Sequence, residues 1–287
     1  MTDARPEKPP MREAFALLGH DIRLNIVVAL LDNWMAAYTE PISYAELMDA
    51  VEIDDSGKFN YHLKKLRGVY VEKADGGYVP TASATALYRA VVAHRPSHDA
   101  DRPRLDVDSE CPCCGAGLVG TYERGFLSVD CESCDDWIGF SYPFPRNGFT
   151  DRCDEEVVRA AYRRCKHHLA VARSGQCPFC AGVTTIEIQA EALSEIDDPP
   201  VEMWCDSCSF HVGSRIMFLF LLDSRVTTVL SDAAIDVERY EWELPKSTTR
   251  ITSQEPLRIQ VEVHGEEAIA TIVIDDRLNV CSTGTDR

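Results

Sequence analysis

The residues with the most distinctive chemistry are eight of the twelve cysteines, which occur as four C-x-x-C pairs. Cysteines at this spacing form a tight knuckle, and two knuckles supply the four soft ligands that a tetrahedral zinc ion needs at about 2.3 Å. The two pairs of the first set are 16 residues apart, and those of the second set are 24 apart. We therefore predict two structural zinc ions per chain, held by Cys111, Cys114, Cys131 and Cys134 and by Cys177, Cys180, Cys205 and Cys208.

Alternative pairings and roles remain open for these cysteines. Pairing within each set is preferred, because joining a knuckle of one set to a knuckle of the other closes longer loops at greater entropic cost. Disulfides or free core thiols are the alternatives to zinc. An unpaired cysteine is more often a small core residue than a ligand. Four cysteines therefore receive no role, namely Cys113, Cys153, Cys165 and Cys281.

A second chemical signal is a basic window from residue 56 to residue 71, which contains four Lys and Arg and no acid. Phe59, Leu63 and Leu66 recur at helical spacing and would face a core, which directs the polar residues outward. Lysines can hold phosphates, while Asn or His can contact base edges in the major groove. The predicted DNA-binding residues are Ser56, Lys58, Asn60, Tyr61, His62, Lys64, Lys65 and Arg67. The alternative is a solvated face of a generic helical domain.

The neighbouring elements predict how this helix is positioned. A first helix begins near Met11 and ends at Gly19, and Asp21 is placed to cap a second. Ser43 and Glu46 form a capping box that opens a third helix, and a short turn leads to the fourth. A hairpin follows around residues 75–77, and then a fifth helix with Thr81 as its cap. This order predicts a winged helix-turn-helix over residues 1–94.

Residues 11–94 resemble the winged-helix repressors of the arsenical-resistance (ArsR-like) type. The resemblance rests on the segment Asn60-x-His62-Leu63-x-x-Leu66 and on residues 75–81, which lead into a helix. It implies a homodimer formed through the first and last helices, where Phe15, Leu87 and Val91 supply apolar surface. Metal-sensing members carry a Cys pair in the third helix, and residues 43–51 contain no Cys, which argues against metal sensing there.

The remainder of the chain is predicted to be a linker and a second, zinc-stabilised part. Residues 95–110 are polar and form the linker, followed by a first zinc ribbon (111–150), a connecting helix (151–175) and a second ribbon with an α/β extension (176–287). The extension carries an alternating hairpin with one buried face. This organisation resembles the zinc-ribbon domains attached to winged helices in halophilic archaeal regulators. The predicted fold class is α+β, ending in a small antiparallel β-sheet.

Two further motifs lie in this second part of the chain. Residues 115–120 match G-x-G-x-x-G, but they follow a knuckle and join no strand to a helix, so dinucleotide binding is rejected. The connecting helix ends in a run of cationic residues, which complement the negative end of the helix dipole. We therefore predict that this end is solvated and does not form a second DNA contact. Its cationic residues are Arg163, Arg164, Lys166, His167 and His168.

The charge distribution separates the two halves of the chain. The net charge is −18, and residues 1–98 carry 11 Lys and Arg against 13 Asp and Glu, so nearly all the excess acid lies beyond them. Only the first third is electrostatically suited to DNA. Scarce lysine and abundant acid indicate the cytoplasm of a salt-adapted cell. No apolar run reaches the roughly 20 residues of a membrane span.

Together these features predict a cytoplasmic, sequence-specific transcription regulator that binds double-stranded DNA as a homodimer. Its zinc-stabilised second half would serve a protein partner or an effector. One alternative is an adaptor whose winged helix binds protein. Another is a zinc-dependent enzyme, but catalytic zinc usually has His or carboxylate ligands and an open position, whereas both sets here offer four thiolates. The chain contains no H-E-x-x-H, G-x-S-x-G or P-loop motif. We therefore predict no enzymatic activity.

Overall fold

The computed structural model describes residues 10–35, 38–95, 102, 104–135, 137, 139–189 and 200–286. The chain divides into two compact units, Met1–Pro96 and Ser97–Arg287. Both units mix helices with antiparallel sheets, so the α+β class is confirmed. In the described part of the chain no single helix is long and apolar enough to span a membrane. Only the first two helices taken together, which meet at 88°, satisfy the length and composition of a span.

The described residues of the first unit form five α-helices and one hairpin in the predicted order. The helices are α1 (Met11–Leu17), α2 (Asp21–Asp32), α3 (Tyr44–Ala50), α4 (Ser56–Leu66) and α5 (Ala82–Ala93). Strands β1 (Val71–Ala74) and β2 (Gly77–Pro80) form the antiparallel hairpin between α4 and α5. Buried side chains from α2, α3 and α4 fill its core, the largest of which are Ile26, Leu30, Leu47, Phe59, Leu63 and Leu66.

Local side-chain caps explain where these helices begin. The capping box of α3 is confirmed: Ser43 accepts the N–H of Glu46, and the Glu46 carboxylate accepts the N–H of Ser43. Thr81 caps α5, also as predicted. For α2 the prediction was wrong. The cap is His20, whose Nδ1 accepts the N–H of Ile22 at 3.3 Å, while Asp21 is the first helical residue.

The second unit is built around α6 (Asp154–Arg173). The sheet β3 (Leu105–Glu110), β4 (Gly117–Glu123), β5 (Phe126–Asp130) and β6 (Phe140–Pro143) precedes α6. The sheet β7 (Thr184–Ile188), β8 (Pro200–Cys205) and β9 (His211–Arg215) follows it. A 3₁₀ helix (Met217–Phe220) and α7 (Ser224–Asp232) lead to a four-stranded meander of β10 (Ser247–Gln254), β11 (Leu257–His264), β12 (Ile269–Ile274) and β13 (Val280–Asp286).

All these elements except β10 contribute apolar side chains to one hydrophobic core, which extends from Leu105 to Val280. Residues 216–221 of the predicted apolar segment lie inside it, with Leu219, Phe220 and Leu221 almost fully buried, whereas Leu222 is exposed. The two zinc ribbons, the connecting helix and the α/β extension assigned from the sequence therefore pack around one common core.

The predicted linker is too long, because residues 105–110 form strand β3 and pair with β4. Leu105 and Val107 turn inward while Asp106 and Asp108 face outward. This alternation is the signal of a half-buried strand, and the polar composition concealed it. Residues 96–101 and 103 of the linker lie outside the described part.

Candidate functional sites: two four-cysteine clusters and a basic helix

The first cluster brings Cys111 and Cys114, just before β4, against Cys131 and Cys134, just after β5. Sγ atoms of Cys111 and Cys134 are 3.7 Å apart, those of Cys114 and Cys131 are 3.6 Å apart, and those of Cys131 and Cys134 are 3.8 Å apart. The knuckle closes through a bond from the N–H of Cys111 to the carbonyl of Ala116 at 2.8 Å. The β4–β5 hairpin thus holds both knuckles at the same end.

The second cluster repeats this arrangement with Cys177 and Cys180 before β7 and with Cys205 and Cys208 around the end of β8. Sγ atoms of Cys177 and Cys208 are 3.5 Å apart, and those of Cys180 and Cys205 are 3.6 Å apart. Backbone geometry also repeats: Ala181 has φ of 59°, at the position where the first knuckle has Gly115 with φ of 74°. A left-handed residue thus follows the second cysteine of the first knuckle in each cluster.

Both clusters fit a tetrahedral zinc ion. Four sulfur atoms at about 2.3 Å from a common centre are about 3.8 Å from one another, close to the separations found here. In each set all four candidate ligand atoms lie within 4.8 Å of one another. The pairing of knuckles within each set is confirmed, and the alternative pairing between sets is excluded by this geometry.

One thiol in each cluster is stabilised in its charged form, which is the form that binds metal. Burial raises the pKa of Cys111, but N–H groups of Cys113 and Cys114 and the neighbouring sulfurs outweigh burial and lower it to about 7. Burial likewise raises the pKa of Cys177, and N–H groups of Cys180 and Phe179 with the other thiols lower it to about 7. The knuckle backbone is thus prepared for thiolate ligands.

The four remaining cysteines lie outside these clusters. Cys165 is a buried core residue of α6, and burial raises the pKa of its thiol to about 12. Cys113, Cys153 and Cys281 are exposed. Only Cys165 therefore matches the expectation of a small core residue.

The basic helix α4 presents most of its predicted DNA-binding side chains to solvent. Phe59, Leu63 and Leu66 are buried, as their spacing predicted. Asn60 is half-buried. The exposed residues are Ser56, Lys58, Tyr61, Lys64, Lys65 and Arg67. Lys65 Nζ lies 5.8 Å from the centre of the Tyr61 ring, so these two side chains form one cationic and aromatic patch.

His62 is the exception, and its assignment to DNA contact was wrong. Its side chain is only 6% exposed and packs against the ring of His20, with ring centroids 4.2 Å apart. The sequence spacing placed His62 on the flank of α4, but the start of α2 covers that flank. His62 is a core residue of the first unit and cannot reach a base edge without leaving it.

The hairpin is attached to the segment before α3. Ile42 and Tyr78 exchange two backbone hydrogen bonds, at 3.0 Å and 2.8 Å. Gly77 allows this close approach, since a Cβ atom there would lie 2.2 Å from the Ile42 carbonyl oxygen. The sequence marked Gly77 as part of a turn, whereas its structural requirement is the contact with Ile42.

The cationic end of α6 is only partly solvated. Arg163, Arg164 and His167 are exposed, whereas Lys166 is buried with Nζ 5.2 Å from the centre of the Tyr162 ring. His168 lies 2.8 Å from the Tyr142 hydroxyl, and burial, followed by the charges of Arg164 and His167, lowers its pKa to about 4. The prediction that the basic end of α6 faces solvent is therefore wrong for Lys166 and His168. Lys166 is buried and His168 is half-buried, so neither side chain is freely presented to solvent.

Sequence reasoning missed an exposed aromatic residue in the first knuckle of the second cluster. Phe179 is 56% exposed and contacts the rings of His168 and Phe210, with centroid distances of 4.9 Å and 5.8 Å. Val183 nearby in the chain is also exposed. The available signal was a Phe at a position where the other knuckles have Cys113, Ser133 and Ser207.

The fold and these sites define an α+β protein with several antiparallel sheets and two four-cysteine clusters. Residues 108–280 match the model of a family described as a domain of unknown function (DUF7351), and the chain belongs to this family. Residues 11–91 match a second model with the description domain of unknown function (DUF7347). No curated protein and no solved structure matches the chain.

Proposed function

We propose that this protein is a sequence-specific DNA-binding transcription regulator of the cytoplasm, with a winged helix-turn-helix in its first unit. The observation that carries the proposal is the exposed basic face of α4. It follows a short turn after α3 and contains no acidic residue, in a chain whose net charge is −18. A basic helix of this kind suits the major groove of double-stranded DNA.

The contacts around α4 support its use as a recognition helix. The Tyr44 hydroxyl of α3 donates to the carbonyl of Ser56 at 3.0 Å, and the Tyr44 and Phe59 rings meet edge to face at 5.0 Å. Two helices joined in this way present the second one as a rigid surface. The β1–β2 hairpin is then the wing. Ser56, Asn60 and Tyr61 are the candidates for base contact, while Lys58, Lys64, Lys65 and Arg67 would contact phosphates.

The second unit would bind a protein partner or an effector and has no catalytic role in this proposal. Two structural zinc ions with four thiolates each leave no open coordination position for a substrate. The exposed Phe179 and Val183 beside the second cluster supply apolar surface of the kind that interfaces use.

Chromosome-wide mapping of the tagged protein tests the proposal directly. We expect discrete peaks over related palindromic sequences, since a dimer contacts two half-sites. Enrichment without a shared sequence, or no enrichment, would favour the adaptor alternative.

We expect base contacts to outweigh phosphate contacts in concentrated salt. At molar KCl the Debye length falls to about 3 Å, and little counterion-release energy remains for lysines. Asn60→Ala should therefore weaken operator binding by about 1 to 3 kcal/mol, the value of a good base contact, and Lys64→Ala by less. Polarisation titrations at molar KCl measure both, with the exposed Lys246→Ala in the second unit as the control. A larger loss for Lys64→Ala than for Asn60→Ala contradicts this account of α4.

We also expect a homodimer formed through α1 and α5. Phe15 on α1 and Val91 on α5 are 58% and 57% exposed, and Leu87, one turn before Val91, is half-buried. Light scattering of the native chain in high salt should give twice the monomer mass. Phe15→Glu with Val91→Glu should give the monomer, whereas Phe126→Glu, at a similarly exposed site on β5, should not. A native monomer at micromolar concentration rules the interface out.

A further inference from the structure

Two histidines meet where α2 packs on α4, although neither belongs to the proposed DNA-contacting surface. The His62 ring projects from α4 and lies against the His20 ring, with centroids 4.2 Å apart and planes tilted by 44°. His62 Nδ1 is buried and has no hydrogen-bond partner within the described part of the chain. A pair of imidazoles in contact tolerates one added proton poorly and two worse, because each proton adds a positive charge.

His20 performs a task that requires its unprotonated form. Its Nδ1 accepts the N–H of Ile22 and so caps the amino terminus of α2. A ring nitrogen that carries a proton is a donor and cannot accept this bond. Protonation at Nδ1 therefore removes the cap of α2 and places a positive charge beside the positive end of the helix dipole.

The groups that surround His62 add to this effect. They are His20 before α2, Arg23 on α2, Lys58 on α4 and the Tyr61 ring at 5.1 Å. Burial, and then the charges of His20, Arg23 and Lys58, lower the pKa of His62 from its ordinary value of 6.5. Between the lowered value and 6.5 the unfolded chain binds more protons than the folded one. The stability that neutral His62 gives the folded first unit is therefore complete above about pH 6.5 and is lost as the pH falls below that value.

We propose that the contact between His20 and His62 is a pH-sensitive switch, which holds α2 against α4 near neutral pH and loosens that packing on acidification. Because α4 carries the basic face, loosening should also weaken DNA binding, a consequence that rests on the proposed function. The loosening of the packing between α2 and α4 does not depend on the proposed function.

Hydrogen exchange on the full-length protein, resolved on peptides of α2 and α4, tests the switch. After correction for the intrinsic pH dependence of exchange, local opening in the wild type should rise about fivefold to tenfold between pH 7.5 and pH 5.0, the factor expected from loss of a helix cap. In His20→Asn the amide oxygen caps α2 at every pH, and in His62→Gln no charge can form. The double variant should show no such rise.

The control is His94→Asn, a matched change at the exposed carboxy-terminal cap of α5, which should keep the wild-type response. If the double variant does not fold, His20→Asn alone must still reduce the rise by at least half. An equal rise in the wild type and in His20→Asn overturns the proposal, as does a flat response of the wild type.

A parallel DNA titration separates this proposal from the proposed function. Operator affinity should fall between pH 7.5 and pH 5.0 in the wild type and stay constant in the double variant. If the exchange response is present but no DNA is bound at any pH, the switch stands and the proposed function fails. If DNA binds and exchange does not respond to pH, the switch alone fails.

Discussion

Metal analysis of the native protein should find two equivalents of tightly bound zinc, and Cys177→Ser should reduce this to one. Structural zinc bound by thiolates contributes roughly 10 to 16 kcal/mol, which is comparable to or larger than the 5 to 15 kcal/mol of a typical folded domain. Chelation should therefore unfold the second unit. The first unit should survive, since all twelve cysteines lie beyond residue 110 and the unit has its own core.

Cys113→Ser is the matched control, because Cys113 lies inside a knuckle, is exposed and belongs to neither cluster. Its zinc content should equal that of the native chain. Atomic absorption and far-ultraviolet circular dichroism, before and after chelation, measure both effects. Fewer than about 1.5 equivalents in the native protein, or an unchanged zinc content in Cys177→Ser, would show that the second cluster does not bind zinc.

Gly77→Ala should destabilise the first unit by about 3 kcal/mol, at the upper end of the usual cost of overpacking. The new Cβ atom would lie 2.2 Å from the carbonyl oxygen and 2.5 Å from the carbonyl carbon of Ile42, and both are backbone atoms. To relieve this contact the hairpin must move away from the segment before α3. The two hydrogen bonds between Ile42 and Tyr78 then break, and the proposed wing loses its attachment to the segment before α3.

Gly76→Ala provides the comparison. A Cβ atom at this neighbouring position meets nothing within 4 Å, but the residue has φ of 90°, which costs a side chain about 1 to 2 kcal/mol. Hydrogen exchange of α2 and α4 in denaturant measures the stability of the first unit in both variants, and operator binding measures the position of the hairpin. If Gly77→Ala proves as mild as Gly76→Ala, the contact with Ile42 has no importance for stability.

The features that sequence reasoning predicted correctly depend on residues close together in the chain. The Ser43–Glu46 capping box spans four residues, and the knuckles that begin at Cys111, Cys177 and Cys205 are each closed by a hydrogen bond within their own backbone. Knuckle pairing within a set requires only that one hairpin, β4–β5 or β7–β8, brings two knuckles together. Such signals are almost independent of the remaining fold, which is why residue types and spacing sufficed.

The predictions that failed depend on residues that arrive from elsewhere. Periodicity placed His62 on the flank of α4, but it cannot reveal that His20 covers this flank. Lys166 and His168 belong to a run of cations that usually faces water. Here Tyr162 lies beneath Lys166, and Tyr142 of β6 covers His168. A local sequence pattern cannot predict this burial, because residues distant in the sequence create it through tertiary packing.

The single core of the second unit has a consequence for how this part of the gene can change over time. The first cysteine cluster borders this interior, strand β8 beside the second cluster contributes Val201 and Met203 to it, and α6 contributes Tyr162 and Leu169. A recombination break between the two clusters would leave each fragment with half an interior and with apolar surface open to water. Recombination between genes therefore yields a folded second unit only when the whole segment is transferred, including both clusters and the four-stranded meander.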